Sequence, residues 1–584
     1  MRNLVSPLKG CALAFLGVFL IFLGLFCASP RFSSVSASNG GEEWKPVELP
    51  WIFEGPQRNN SIKIETDVAW YSPRTWQIIP DDHLLSLSVN GSPVSLTGLP
   101  PEALRDWGKG FKIDLSDHFK NGTNVVEMQF DNGGGPGGLD IRPAKGTLSL
   151  ILIATGYVLL ICVLGLIFGL RKSAVLLLCF ALVPIMFYWQ ETNWLTRSHD
   201  VGGQTGHYGY VKYIADNVAL PKPNTGWVFY HPPAYYLLGA AVFEVSETFN
   251  ILPIESLQAL AIVLWFIFLA SSIGVFQLLM PGSKGSFWIA TIALVLWPSG
   301  IMRSVTLGND IALYACVGVM TWLICKWWKT GRRALLVRAS IFGALSLLIK
   351  SNGIVIVAVL GALLLMRFLI CGKRKRMKAF VDGVIFGLIS FIGLASSFAV
   401  RIYFYLKGEL SSWLVSNAGG LGDSLRVPVT IKAFIPLDIP TFLTEPYMSS
   451  YDDATGRLNF WNYLLRSSLT GEFSYEGEMQ EIISYGWGFA LLVLFLWLIA
   501  STANLRDMTL RTTYRMLPIV MLLAAWILSM VVFRILLPFS CSNDFRYITP
   551  ILVPLIFVWV KMGFAPQAML WFMSVTSVIF YLSL

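Results

Sequence analysis

Four charged residues stand at the ends of apolar stretches of the chain: Asp200, Asp310, Lys350 and Arg546. Placing a charged side chain in or at the edge of a membrane costs free energy, so such residues often serve a function. A carboxylate within hydrogen-bond reach can take the proton of an attacking hydroxyl as a general base. A lysine or arginine can stand beside a phosphate that gains charge as it leaves. Together these residue types fit the displacement of a phosphate by a hydroxyl group.

Each of the four residues also has a structural interpretation, which the sequence leaves open. Asp200 could cap a helix or be a solvated loop residue, and Asp310 could be the N-cap of the apolar helix that follows it. Lys350 could end its helix by extending its ammonium group to the membrane surface. Arg546 could form an ion pair with the nearby Asp544.

The composition is that of a membrane protein. Of the 584 residues, 55% are hydrophobic and only 14% are charged, whereas roughly a quarter of the residues in a soluble chain are charged. A soluble globular protein and a disordered chain are therefore both disfavoured. The eight cysteines show neither the spacing of a metal site nor that of a disulfide framework.

Apolar runs of membrane-spanning length predict an α-helical protein with about 12–13 transmembrane helices. One run, at 11–29, is either a signal peptide cut near residues 35–37 or a first span that stays in place. Twelve further spans follow, at 147–170, 174–189, 254–280, 286–303, 311–328, 334–349, 352–370, 380–404, 487–501, 514–537, 547–562 and 567–583.

Basic clusters set the orientation of these spans. They lie at 171–172, 326–333, 373–378 and 506–515, and they all fall on the inner side if residues 38–146 are outside. Because the +9 net charge is explained by these clusters, nucleic-acid binding has no support. The same assignment puts two long polar segments, 190–253 and 405–486, on the outer face, where any chemistry is expected.

The residues between the first two runs, 38–146, predict a small β-sandwich that precedes the membrane domain at 147–584. Stretches 61–71, 83–96 and 124–130 alternate like half-buried strands, and Asn90-Gly91 and Asn121-Gly122 are turn signals. The elements VNG (89–91) and DLSDHFKNGTNVVEMQFDN (114–132) resemble the galactose-binding-like jelly roll. That resemblance implies a β-sandwich and permits sugar binding, while a packing or spacer role stays open.

A second resemblance covers about residues 174–562. Residues 200–236 of the first outer segment read D…H-x-x-Y-x-x-Y-I…L-P-x-P…G-W…P-P-x-Y-Y. This pattern resembles the first outer loop of GT-C-fold glycosyltransferases, such as the protein O-mannosyltransferases and the aminoarabinose transferase of lipid A. Further pieces follow in the family's order: Asn309-Asp310, GALSLLIKSNG (343–353), FWNYLLRSSLTGEF (460–473) and DFRYITP (544–550).

The resemblance implies an integral-membrane enzyme of a bacterial inner or plasma membrane. It would transfer a sugar from a polyprenyl-phosphate carrier to a glycan, lipid or protein acceptor on the extracytoplasmic face, with inversion. It implies that Asp200 is the general base, with Asp310 as a second catalytic carboxylate. Lys350, Arg546 and Tyr547 would contact the donor, and His207 and His231 would orient Asp200 or the carrier phosphate.

Three questions stay open at this level. No cofactor is required, but Asp200 and Asp310 could meet at one divalent metal ion. Aromatic residues of the first outer segment, Tyr235 and Tyr236 among them, could belong to an interface belt or stack on sugar. The alternatives to an enzyme are a transporter or flippase of lipid-linked sugars, or a membrane scaffold that presents the sandwich.

Overall fold

The computed structural model describes residues 7–41, 43–54, 57–81, 83–134, 136–191, 206–415, 422–475, 477–501 and 510–584. The protein is mostly helical, at 64%. Its contacts divide it into two units: the first is Met1–Leu160, Trp189–Ala215 and Gly239–Ala259, and the second is Ile161–Tyr188, Asp216–Leu238 and Leu260–Leu584.

The first unit contains an antiparallel β-sandwich of ten strands. They are β1 Phe32–Ser38, β2 Lys45–Pro46, β3 Trp51–Glu54, β4 Gln57–Val68, β5 Thr75–Asp81, β6 His83–Val89, β7 Ser92–Pro93, β8 Phe111–Asp114, β9 Gly122–Asn132 and β10 Pro136–Pro143. One sheet has the order β2-β1-β4-β9-β6-β7 and the other β3-β10-β5-β8.

Alternation of side chains builds the core of the sandwich. Ile62 and Ile64 on β4 and Val126 and Met128 on β9 are fully buried, because every second residue of a strand faces the opposite sheet. The three alternating stretches of the sequence accordingly overlap β4, β6 and β9. Asn90 and Gly91 form the turn between β6 and β7 with φ of 52° and 77°, as a two-residue hairpin requires.

Nineteen helices are described. They are α1 Pro7–Ala28, α2 Thr147–Phe168, α3 Lys172–Glu191, α4 His207–Asn217, α5 Ala234–Thr248, α6 Pro253–Leu279, α7 Lys284–Val295, α8 Pro298–Arg303, α9 Asn309–Thr330, α10 Arg333–Ile349, α11 Ile354–Ile370, α12 Lys373–Leu406, α13 Ile431–Phe434, α14 Ile439–Thr444, α15 Phe460–Thr470, α16 Glu478–Ser501, α17 Leu510–Leu536, α18 Leu552–Lys561 and α19 Phe564–Leu582.

Eleven helical segments of the described residues are long and apolar enough to cross a membrane, which is compatible with a multi-pass membrane protein. Two of the runs counted among the 12–13 predicted spans form helices shorter than these eleven. The run 286–303 is divided into α7 and α8, because Trp297 takes the extended conformation (φ −61°, ψ 130°) that a following proline favours. The run 334–349 forms α10, a helix of 17 residues.

Helix α1 belongs to the first unit and packs closely on α2. A Cβ atom built on Gly17 would lie 2.9 Å from the carbonyl oxygen of Gly156, so only glycine allows this approach. Strand β1, which follows α1, starts at Phe32, before the predicted domain boundary at residue 38. Cleavage near residues 35–37 would remove most of β1 from its place between β2 and β4, which favours the interpretation of α1 as a retained anchor.

Candidate functional site

Six charged side chains of the second unit meet at the ends of several helices, and we call them the charged cluster. They are Arg303, Asp310, Lys350, Glu472, Asp544 and Arg546. Electrostatic interactions link the ion pairs to one another: Lys350 interacts with Arg546 and Asp544 as well as with Asp310. Arg303 likewise interacts with Arg546 and Asp310 in addition to Asp544.

These side chains are positioned by the ends of helices and the turns between them. Arg303 is the last residue of α8, whose first residue is Pro298, where a missing N–H costs nothing. Asp310 is in the first turn of α9, and Lys350 follows the last residue of α10. The turn after Lys350 is tight, because a Cβ atom on Gly353 would lie 2.6 Å from the backbone of Ser346.

The closest ion pair joins Lys350 to Asp310. The Lys350 Nζ atom donates a hydrogen bond to Asp310 Oδ1 at 2.7 Å, and the two side chains are only 7% and 17% exposed. The N-cap position of α9 is occupied by Gly308, so Asp310 is not the N-cap and its carboxylate serves the lysine instead. Lys350 therefore does not reach out to the membrane surface.

Two more ion pairs complete the charged cluster. Arg303 Nη2 donates to Asp544 Oδ1 at 2.9 Å, and Arg546 Nη1 lies 3.8 Å from Glu472 Oε1. Asp544 Oδ1 also accepts from the backbone N–H of Arg546 at 2.7 Å, which caps the turn there. The pairing that the sequence left open for Arg546 and Asp544 is thus made through the backbone, and the side chains have other partners.

Aromatic rings surround the cations. Lys350 Nζ lies 5.0 Å from the centre of the Tyr547 ring, and Arg546 Cζ lies 5.1 Å from the same ring. Tyr314 donates its hydroxyl hydrogen to the backbone oxygen of Arg546. Burial raises the pKa of Tyr230 to about 12, with Arg546 lowering it and Asp310 raising it to smaller degrees. Tyr230 therefore stays a neutral donor beside these charges at physiological pH.

Some buried polar atoms at this place have no hydrogen-bond partner among the described residues: Arg303 Nε, Asn309 Oδ1, Tyr463 Oη and Asn543 Oδ1. All four side chains are at least nine-tenths buried. Tyr463 interacts electrostatically with Asp544, Glu472 and Arg546. Since buried polar groups nearly always find a partner, these atoms offer hydrogen-bonding capacity to a polar ligand or to water.

An apolar cavity of about 220 Å³ shares α9 and α10 with the charged cluster. It is lined by Ala234, Tyr235 and Leu238 of α5, Leu264 and Ile267 of α6, Ala312, Ala315, Cys316 and Val319 of α9, and Phe342, Leu345 and Ile349 of α10. Ile349 immediately precedes Lys350, and Ala312 is in the same turn as Asp310. The hydroxyl of Tyr235 accepts a hydrogen bond from Gly308 N at 3.1 Å and so fixes α5 at the start of α9.

The remaining predicted residues have different outcomes. Asp200 lies outside the described residues, so its predicted role stays a prediction. His231 packs its ring against Tyr230 at 4.2 Å between ring centres. His207 is the first residue of α4, in the first unit, and is 7% exposed. Tyr235 and Tyr236 are 2% and 0% exposed, so they are core residues and not part of an interface belt.

The structure adds Arg303 and Glu472, which sequence reasoning did not single out. Arg303 ends the apolar run 286–303, and a charge at such a position could have flagged it. Glu472 lies within the quoted stretch 460–473. As for a metal, no group of three or more His, Cys, Asp or Glu side chains in the described part of the chain could hold one. No protein-family model matches the chain, and no curated protein matches it.

Proposed function

We propose that the protein is a membrane glycosyltransferase of the GT-C type, which transfers a sugar from a polyprenyl-phosphate carrier to an acceptor hydroxyl on the extracytoplasmic face. The observation that carries this proposal is the charged cluster, in which the largely buried cations Lys350 and Arg546 lie beside the carboxylates of Asp310 and Glu472. A polyprenyl phosphate has an anionic head and an apolar tail. The two cations suit the head, and α9 and α10, which position Asp310 and Lys350, also line the apolar cavity.

The predicted topology supports the same interpretation. The positive-inside assignment, made without structural information, puts all six residues of the charged cluster at outer ends of spans or in outer segments. The six residues are spread from position 303 to position 546, yet their side chains form three ion pairs that interact electrostatically with one another. Their convergence on one side fits a site that works on an exported or membrane-bound acceptor.

The proposed reaction is a single displacement. The acceptor oxygen attacks the anomeric carbon, the bond from that carbon to the phosphate oxygen breaks, and its electron pair stays on the phosphate. Asp200 takes the hydroxyl proton as general base, and attack from the face opposite the phosphate inverts the configuration. Lys350 and Arg546 stabilise the charge that develops on the leaving phosphate.

The ion pair with Lys350 gives Asp310 a positioning role in this proposal. While Lys350 is bound to Asp310, the lysine is held in a buried site at a small cost in desolvation, because the carboxylate compensates its charge. An arriving phosphate competes for the ammonium group. Asp310 therefore positions Lys350 before the donor binds and is released as the phosphate takes its place.

Turnover measured with purified protein in liposomes tests the proposal against its alternatives. The donors are radiolabelled polyprenyl-phosphate mannose and polyprenyl-phosphate aminoarabinose, with a membrane extract as source of acceptors. A glycosyltransferase cleaves the sugar–phosphate bond and releases polyprenyl phosphate. A flippase would move the donor across the bilayer with this bond intact, and a scaffold would do neither; either result contradicts the proposal.

The topology is tested separately by labelling cysteines introduced at Ser424 and Lys375 with a membrane-impermeant maleimide. The protein without these substitutions gives the background from the native cysteines. We expect labelling from opposite sides, because Ser424 is in an outer segment and Lys375 is in an inner basic cluster. Labelling of both positions from the same side would contradict the assignment.

A further inference from the structure

A short loop of the sandwich, residues 69–74 between β4 and β5, lies at the end where the chain leaves for the helices. Thr66 near the end of β4 pairs with Phe32 at the start of β1, and the N–H of Asp67 donates to the oxygen of Arg31 at 2.9 Å. The loop therefore lies beside the connection from α1 to the sandwich.

The second connection is at the same end. Trp76 on β5 pairs with Pro143, the last residue of β10, and the N–H of Ala144 donates to the oxygen of Thr75 at 3.2 Å. Helix α2 starts shortly afterwards, at Thr147. Strand register alone thus places the loop 69–74 next to the points at which two apolar helices of membrane-spanning length join the sandwich.

Side-chain contacts fix the height of this loop along α1. The ring of Tyr71 stacks on the ring of Phe26 with centres 5.8 Å apart, and Phe26 is in the last turn of α1. The Arg31 Cζ atom lies 5.0 Å from the centre of the Phe26 ring and 5.2 Å from the centre of the Tyr71 ring, and Arg31 donates a hydrogen bond to the Tyr71 hydroxyl. The loop is therefore held level with the end of an apolar span.

Trp70 is the exposed member of this arrangement. Its ring meets Tyr71 edge-on at 5.3 Å, yet the residue is 80% exposed. An indole with one polar N–H and a large apolar face is favoured at the boundary between headgroups and acyl chains. A tryptophan held out from a rigid loop at that level has this boundary as its natural surroundings.

We infer that the loop 69–74 is a lipid-binding surface, which inserts Trp70 into the headgroup–acyl boundary of the bilayer beside α1 and so fixes the orientation of the sandwich. This inference needs α1 to cross the membrane but does not depend on the proposed transfer reaction. Its ligand is phospholipid, and the stacked Phe26–Tyr71 rings under Arg31 supply the rigid base.

The sandwich offers a matched control in Trp44. This tryptophan is 45% exposed and precedes Lys45, which pairs with Ala37 at the opposite end of β1. Both residues are thus exposed tryptophans of the sandwich, but they lie near opposite ends of β1. A lipid surface at the helix-proximal end predicts that only Trp70 meets lipid.

Benzoylphenylalanine, a photo-crosslinking residue, is introduced at position 70 or position 44 of the full chain in phospholipid nanodiscs. After irradiation, mass spectrometry should find phospholipid adducts at position 70 and none above the unirradiated background at position 44. Equal lipid adducts at both positions, or none at position 70, would overturn the inference. An adduct at position 70 to a second protein chain would also overturn it, in favour of a protein interface.

A second measurement covers the case in which the crosslinker disturbs folding. Lipids brominated just below the headgroup quench nearby tryptophans, so Trp70→Phe should lower the quenchable fraction of the fluorescence and Trp44→Phe should leave it unchanged. The same fraction in the Trp70→Phe variant and the parent protein would contradict insertion of Trp70.

Discussion

Two buried lysines of this protein have nearly the same immediate contacts. In the first unit Lys145 Nζ lies 2.8 Å from Glu255 Oε2 and 4.3 Å from the centre of the Trp189 ring. In the second unit Lys350 Nζ lies 2.7 Å from Asp310 Oδ1 and 5.0 Å from the Tyr547 ring. An ion pair, a ring and burial are therefore common to both, and none of these features alone distinguishes a site from a structural contact.

The difference lies in what surrounds each pair. The space beside Lys145 and Glu255 is about 10 Å³, enough for about one water, and Trp189 donates to Gln258 at 2.9 Å. Lys350 instead interacts with residues of two more ion pairs, and α10, which it follows, lines an apolar cavity of about 220 Å³. The pair in the first unit holds helix and sheet together, whereas the pair in the second unit belongs to a larger set of charges, for which an anionic ligand can compete.

Asp200→Asn is expected to have the largest effect on transfer. The amide nearly preserves the shape but cannot accept the proton, and general-base assistance contributes ~10²–10⁴ in rate. The variant should bind the lipid donor and transfer sugar more slowly by that factor. Asp216→Asn, an exposed carboxylate in the next helix, serves as the control and should keep parent activity; near-parent turnover by Asp200→Asn would remove Asp200 as the base.

Neutralising the Lys350–Asp310 pair is the next test, and it separates function from folding. Lys350→Met alone leaves a buried carboxylate without its partner and should cost both stability and activity. The double variant Lys350→Met, Asp310→Asn should have a free energy of unfolding close to that of the parent protein. It should still transfer sugar about 10²–10³-fold more slowly, because the phosphate loses its cation. Full activity in the double variant would make this pair as structural as the one in the first unit.

The equivalent change in the first unit should have the opposite outcome. Lys145→Met should lower the free energy of unfolding by ~3–5 kcal/mol, because Glu255 is left buried and uncompensated. Adding Glu255→Leu should recover most of this loss, and transfer per folded molecule should match the parent protein throughout. A loss of transfer in a fully folded double variant would show that Lys145 and Glu255 also serve the reaction.

Filling the apolar cavity should have the smallest effect. Ala315 is 4% exposed and lines the cavity, so Ala315→Leu should displace part of a bound polyprenyl tail. We expect KM for a long-chain donor to rise about tenfold, which corresponds to roughly 1.4 kcal/mol of lost binding. A donor with only two isoprene units should be unaffected; equal loss with both donors would mean that the substitution disturbs the site and not the tail.

Much of this fold could be predicted from the sequence, because the patterns are local. Alternation predicted β4, β6 and β9, and apolar length predicted most of the spanning helices. The break at Trp297-Pro298 was missed, although the proline is visible, because the hydrophobic run continues on both sides of it. The start of β1 was missed because Phe32–Ser38 directly follows the apolar run and its pairing with β4 is not local.

The charged cluster was predictable only in part. Asp310, Lys350 and Arg546 stood out because charges at the ends of apolar runs are costly. Arg303 and Glu472 did not stand out, because pairing between residues far apart in sequence, such as Arg303 and Asp544, depends on how α8 and the turn before α18 pack together. The N-cap interpretation of Asp310 was wrong for a similar reason: α9 starts two residues earlier than predicted, at Asn309, and the lysine that follows α10 pairs with the carboxylate.

The most direct test of the charged cluster as a phosphate site is a structure of the full chain with polyprenyl phosphate bound. We predict that the phosphate oxygens contact Lys350 Nζ and the Arg546 guanidinium, and that the first isoprene units follow the cavity lined by Ala312, Ala315 and Ile349. Phosphate bound at another place, together with full transfer activity in Lys350→Met and Arg546→Met variants, would contradict the account.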